Sequence, residues 1–182
     1  FVDALAEAGY KDGEKIKIDY QNAQGDQSTA STIATKLVND NNDLILTIAT
    51  PAAQAVANIT KDIPILVTAV TDPAASGLVA SNEAPGGNVS GTSDLTPVKK
   101  QMELLTQLVP KAVDVAVLYC SSESNSKIQA EIAIEEGTAL GLNVFEATVS
   151  DSNEIQQVVQ SLVGNVDAIY VPTDNIISDG MA

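Results

Sequence analysis

With 182 residues, 45% of them hydrophobic, the chain is large enough for one sizeable domain or two small lobes with real cores. Its formal charge of −15, pI of about 4.1 and nine scattered Lys and Arg make no basic patch, which argues against a nucleic-acid partner and favours solubility. With no histidine and one cysteine, no disulfide can close within these residues, transition-metal sites are disfavoured, and Cys120 lacks the usual base for a nucleophile.

The chain opens on Phe1 rather than Met, and residues 1–10 read as the interior of an amphipathic helix followed by a turn at Gly9. A strand ordinarily precedes such a helix, so the sequence is expected to be a piece of a longer protein. No signal peptide is visible, and no apolar stretch approaches the roughly 20 residues that span a bilayer. Residues 15–20 alternate Lys-Ile-Lys-Ile-Asp-Tyr, the pattern of a half-exposed strand near a sheet edge. Residues 26–42 read as a helix with Ile33, Ala34, Leu37 and Val38 as its apolar stripe, ended by Asn39-Asp40-Asn41-Asn42.

Residues 43–57 carry the most information. A continuous apolar run, as in a parallel strand buried on both faces, gives way at Thr50-Pro51 to an alanine-rich helical pattern. Thr50 is the expected N-cap, and Pro51 suits the first turn, where its missing N–H costs nothing. The junction points free N–H groups and a hydroxyl out of the carboxyl edge of a sheet, which suits an anion such as a carboxylate. The helix is expected to run to about Lys61. Pro64 then opens a strand over residues 65–69, which ends in Val70-Thr71-Asp72-Pro73. Short connections make this βαβαβ, the signature of a parallel sheet with helices on its faces.

Residues 72–97 break the rhythm with turn chemistry around a short strand at 89–92. They predict a lobe boundary with its crossover near residues 90–95, giving lobes of 1–94 and 95–182. The second lobe begins with a helix over residues 97–108 that carries Met102, Leu105 and Leu108 and stops at Pro110. A strand at 113–119, a helix at 126–140 closed by Gly141 and a strand at 143–148 follow. A helix at 153–163, a strand at 166–171 and the start of a helix at 176–182 complete the pattern. The predicted class is α/β, with two Rossmann-like lobes of parallel sheet flanked by helices.

Four strands end in small hydroxyl, amide or carboxylate side chains. In open α/β sheets ligands sit outside the carboxyl ends of strands. Each junction taken alone also reads as ordinary helix caps and turns; four together point to a polar small-molecule site.

Several segments resemble one family in order: Ile48-Ala49-Thr50-Pro51-Ala52-Ala53-Gln54, Thr68-Ala69-Val70-Thr71-Asp72-Pro73, Pro85-Gly86-Gly87-Asn88-Val89-Ser90-Gly91, Leu118-Tyr119-Cys120-Ser121-Ser122-Glu123-Ser124-Asn125-Ser126 and Tyr170-Val171-Pro172-Thr173-Asp174-Asn175. That family is the substrate-binding proteins of ABC importers of the tryptophan/tyrosine-binding type, with a type I periplasmic-binding-protein fold. The resemblance covers essentially the whole chain. It implies an extracytoplasmic receptor, secreted or lipid-anchored, that captures an aromatic amino acid between two lobes and delivers it to a membrane permease. It implies a monomer, no cofactor and no enzymatic activity. Family members are longer, with a signal or lipoprotein segment and a first strand before this stretch and more chain after it.

Carried over residue by residue, the resemblance places the ligand carboxylate at Thr50, Pro51 and Ala52, with Thr71 and Asp72 on the same lobe's edge. Ser122, Glu123, Asn125, Ser126, Thr173 and Asp174 face them from the other lobe. Asp174 is the expected partner of the ligand ammonium, with Asp72 as its competitor. Tyr119 lies near a carboxyl edge, in a position that also suits the core. Two other readings stand beside it: an α/β enzyme, since doubly wound sheets host many, and the ligand-sensing domain of a sugar-type transcription regulator, which shares the two-lobe plan. The first lacks a phosphate loop, a dinucleotide fingerprint and a nucleophile elbow. The second would need a DNA-binding segment outside this stretch.

Overall fold

The computed structural model describes residues 1–181. The elements are α1 (Val2–Glu7), α2 (Gln27–Asn39), β1 (Ile45–Ile48), α3 (Thr50–Ala57), β2 (Ile65–Val70), β3 (Val89–Ser93), α4 (Val98–Leu108), β4 (Asp114–Cys120), α5 (Ser124–Ala139), β5 (Asn143–Val149), α6 (Ile155–Leu162), β6 (Ala168–Tyr170) and α7 (Asn175–Gly180). Two parallel three-stranded sheets result, in the orders β1-β2-β3 and β5-β4-β6. The chain passes between them after Ser93 and enters α4 at Val98. No helix among the described residues is long and apolar enough to cross a membrane.

β4 shows why its sequence is apolar without alternation. Val115, Val117 and Tyr119 pack with α4 and α5, while Ala116, Leu118 and Cys120 pack on the opposite face with Leu162 and Ile177. A central strand covered on both faces has no side for a polar residue. The first sheet has a smaller core, in which Ala34, Ala53, Val56 and Ala57 let α2 and α3 approach β1 and β2 closely. Gly91 of β3 lies so near β2 that a Cβ there would meet the Val67 carbonyl oxygen at 2.0 Å.

Three expectations need correction. Residues 15–20 form no strand, because no strand among the described residues lies beside them to complete a ladder. One isolated bridge joins Asp12 to Ile16, and the Ile18 amide donates to Asp12 Oδ1 at 2.8 Å instead. α3 stops at Ala57 rather than near Lys61, since Thr60 Oγ1 turns the chain by accepting from the amides of Asp62 and Ile63, each at 3.2 Å. Leu108 is exposed, because the buried stripe of α4 runs through Val98, Met102 and Leu105 and leaves position 108 about a quarter turn to one side. The last helix ends at Gly180, and its expected end at Ala182 lies outside the described residues.

Candidate functional site

The carboxyl edge of the first sheet is built on a strained residue. Ala49 follows β1 with φ 76° and ψ 153°, a region that only glycine occupies easily. Its amide still reaches the Thr68 carbonyl at 3.0 Å, so it extends the ladder while reversing the chain. The reversal starts α3 one residue earlier than expected. Ala49, not Thr50, is therefore the N-cap position; Thr50 and Pro51 are the first two helical residues, and no side chain caps the helix. The amides of Thr50 and Ala52 lie where a helix offers no acceptor of its own. Thr50 is 1% exposed, and its Oγ1 has no hydrogen-bond partner.

At the end of β2, Thr71 is buried, and its carbonyl accepts from Ser93 Oγ at 2.8 Å. Asp72 Oδ1 accepts from Asn82 Nδ2 at 3.0 Å and from the amides of Ala74 and Ala75 at 3.0 and 3.1 Å. These donors, Asn82 foremost, hold the Asp72 carboxyl below its ordinary pKa.

The second sheet presents a dense polar network. Asp174 caps α7 through Oδ1, which accepts from the Ile177 amide at 2.8 Å. Its Oδ2 accepts from the Cys120 amide and from Ser126 Oγ, both at 2.6 Å. Glu123 accepts from the amides of Asn175 and Ile176 at 3.2 and 3.0 Å, and from Asn175 Nδ2 and Asn125 Nδ2 at 2.7 and 2.9 Å. The Thr173 carbonyl accepts from Asn125 Nδ2 at 3.0 Å and from Ser126 Oγ at 3.3 Å. Ser122 is exposed and lies 3.1 Å from the buried Cys120 thiol. Tyr119 belongs to the core; burial, with its hydroxyl donating to Glu146 at 2.6 Å, lifts its pKa to about 12.

A trough of about 1970 Å³ separates the two edges. Ile48, Ala49, Pro51 and Ala52 line one side, and Ser122, Glu123 and Asn175 line the other. Residues 13–27, Tyr20 among them, form a further wall. Of the expected site residues, Pro51, Ala52, Ser122 and Glu123 meet here. Thr50 is buried between the lining residues Ala49 and Pro51, whereas Thr71, Asn125, Ser126 and Asp174 are buried and, like Asp72 and Thr173, do not line the trough. The ammonium role expected of Asp174 meets a carboxylate already taken by three internal donors. Sequence reading passed over Gln54, Asn175 and Gln129. Gln54 carried a usable signal: four residues after Thr50, it shares the face of α3 that Thr50 occupies.

The family model for ABC transporter substrate-binding proteins matches residues 1–182. The chain is 52% identical over 181 residues to a tyrosine-binding protein of Clostridioides difficile, covering 100% of this chain and 52% of that one. It resembles the crystal structure of an ABC domain in complex with L-Trp from Streptococcus pneumonia with a TM-score of 0.92 and 45% identity, over 98% of this chain and 60% of that one. Against the ligand-free, open structure of a Clostridium difficile substrate-binding protein with adhesive properties, identity is 52% and the TM-score 0.63, over 99% of this chain and 61% of that one. The chain thus spans about half the length of the curated relative it matches.

Proposed function

Since the chain belongs to the ABC transporter substrate-binding proteins, a family of binding proteins rather than enzymes, we propose that it forms part of a receptor for one free α-amino acid, aromatic by preference. The single observation that carries this reading is the start of α3. A hydroxyl sealed from water without a partner, beside uncapped amides and a strained Ala49, is a costly arrangement unless a ligand completes it. A ligand carboxylate accepts from the Thr50 hydroxyl and from the free amides of the first turn.

Glu123 and Asp179 are the carboxylates that line the opposite wall, and together they give it the negative charge that faces the ligand ammonium. Asp174, Asn125 and Ser126 hold that wall in place from behind, while Thr71, Asp72 and Thr173 frame the two edges. Exposed Ile48 and Tyr20 offer apolar surface for a ring. Aromatic preference is supported by the tyrosine-binding name of one relative and the L-Trp bound to another.

Capture proceeds by closure of two lobes, 1–94 and 95–182, about residues 90–95. Two superpositions support this. The relative with higher identity superposes worse, and it is the open, ligand-free one; a changed angle between similar lobes has that effect. The whole protein acts outside the cytoplasm as a monomer and delivers its ligand to a membrane permease.

Calorimetric titration of the full-length protein with the common amino acids tests the reading. Binding of Trp, Tyr or Phe is expected; binding of a sugar and of no amino acid would overturn it.

A further inference from the structure

Gln54 lies one turn beyond Thr50 on α3, and its Nε2 donates two hydrogen bonds. One goes to the Ser76 carbonyl at 3.0 Å, within the first lobe, and the other to Ser124 Oγ at 3.1 Å, on the first residue of α5 in the second. Among the described residues this is the one side-chain hydrogen bond that joins residues up to Ser93 directly to residues from Val98 onward, and no ion pair crosses between them. Gln54 and Ser124 are both half-buried, so water is only partly excluded from the bond.

We propose that Gln54 is a positioning residue for ligand capture, a latch that closes on Ser124 and holds the lobes together around the ligand. The bond to Ser76 aims the carboxamide before closure, so that little side-chain freedom is lost when Ser124 arrives. Because the donor is pre-aimed by its own lobe and the acceptor belongs to the other, the latch forms only after the lobes meet. It therefore acts on escape of the ligand and not on entry. The latch rests on the amino-acid reading, because Ser124 reaches Gln54 only when the lobes close around the ligand.

The test uses the full-length protein with L-Trp and L-Tyr as probes in stopped-flow binding. One net hydrogen bond corresponds to roughly a 3- to 10-fold change. Ser124→Ala and Gln54→Leu should each raise koff by about that factor with kon unchanged. Their double variant should be no worse than either single one, and Ser124→Thr, which keeps the hydroxyl, should restore the wild-type rate. A fall in kon with koff unchanged, additive effects in the double variant, or no effect at all would overturn the latch. If the wild type binds neither amino acid, the functional reading fails. The latch, which acts on that ligand, then fails with it, whereas a wild type that binds and variants that match its koff overturn the latch alone.

Discussion

The starts of α3 and α7 meet one problem with opposite solutions. Each helix begins at the carboxyl edge of a sheet and leaves its first amides without partners. At α7 every one is satisfied from within: Glu123 takes the amides of Asn175 and Ile176, and Asp174 takes that of Ile177. At α3 no side chain caps the helix, Ala49 is strained, and the Thr50 hydroxyl is buried alone. Polar residues at a strand end are therefore ambiguous by type. The satisfied edge is a framework, and the unsatisfied edge is where an outside acceptor gains most.

The contrast breaks or holds on three measurements with the full-length protein. The largest effect is expected for Asp174→Ala, which strands three buried donors at once. Folding stability should fall by about 3 kcal/mol in urea denaturation. A variant of normal stability that no longer binds amino acids would instead make Asp174 a ligand contact. Thr50→Val should act the other way round. Affinity should drop by about 1 kcal/mol, roughly 5-fold, while stability holds or rises, because an unpartnered hydroxyl contributes nothing to the fold. Thr60→Val supplies the reverse control: Thr60 Oγ1 accepts two amides and does not line the trough, so stability should fall by about 1 kcal/mol and affinity should not change.

The smallest effect concerns acid. Asp72 has a folded pKa below its ordinary value, so its contribution is complete above about pH 4 and is lost as pH falls through the lower folded value. Denaturation midpoints between pH 5 and pH 3 should decline slightly less steeply in Asp72→Asn than in the wild type. An unchanged slope would remove Asp72 from the satisfied class.

Most of the architecture was legible because burial leaves a period in the sequence. β4 was readable from an apolar run of strand length, and α4 from Met102 and Leu105 with Pro110 beyond them, although Leu108 was wrongly placed with them. The alternation at residues 15–20 misled, because a pattern of side chains cannot supply a neighbouring strand. The candidate site was legible in place but not in role. Thr50, Ser122, Glu123 and Asp174 all sit at carboxyl edges, as expected. Which of them is spent on internal bonds depends on partners some 50 residues away, as between Asp174 and Cys120, and no local spacing encodes that. The one-residue shift of the α3 cap has the same origin, since a positive φ at an alanine is imposed by the sheet and not by the residue.

Gly91 sets a boundary on how this sequence can vary. Any other residue would drive its first carbon into the Val67 carbonyl of the neighbouring strand, so a saturation screen should return one letter at this position. Two residues later the chain leaves the first sheet for the second. The least mutable point of the strand thus stands directly beside the segment that carries the chain from one sheet to the other. Sequence change has the trough walls to work with, and little freedom at this crossing.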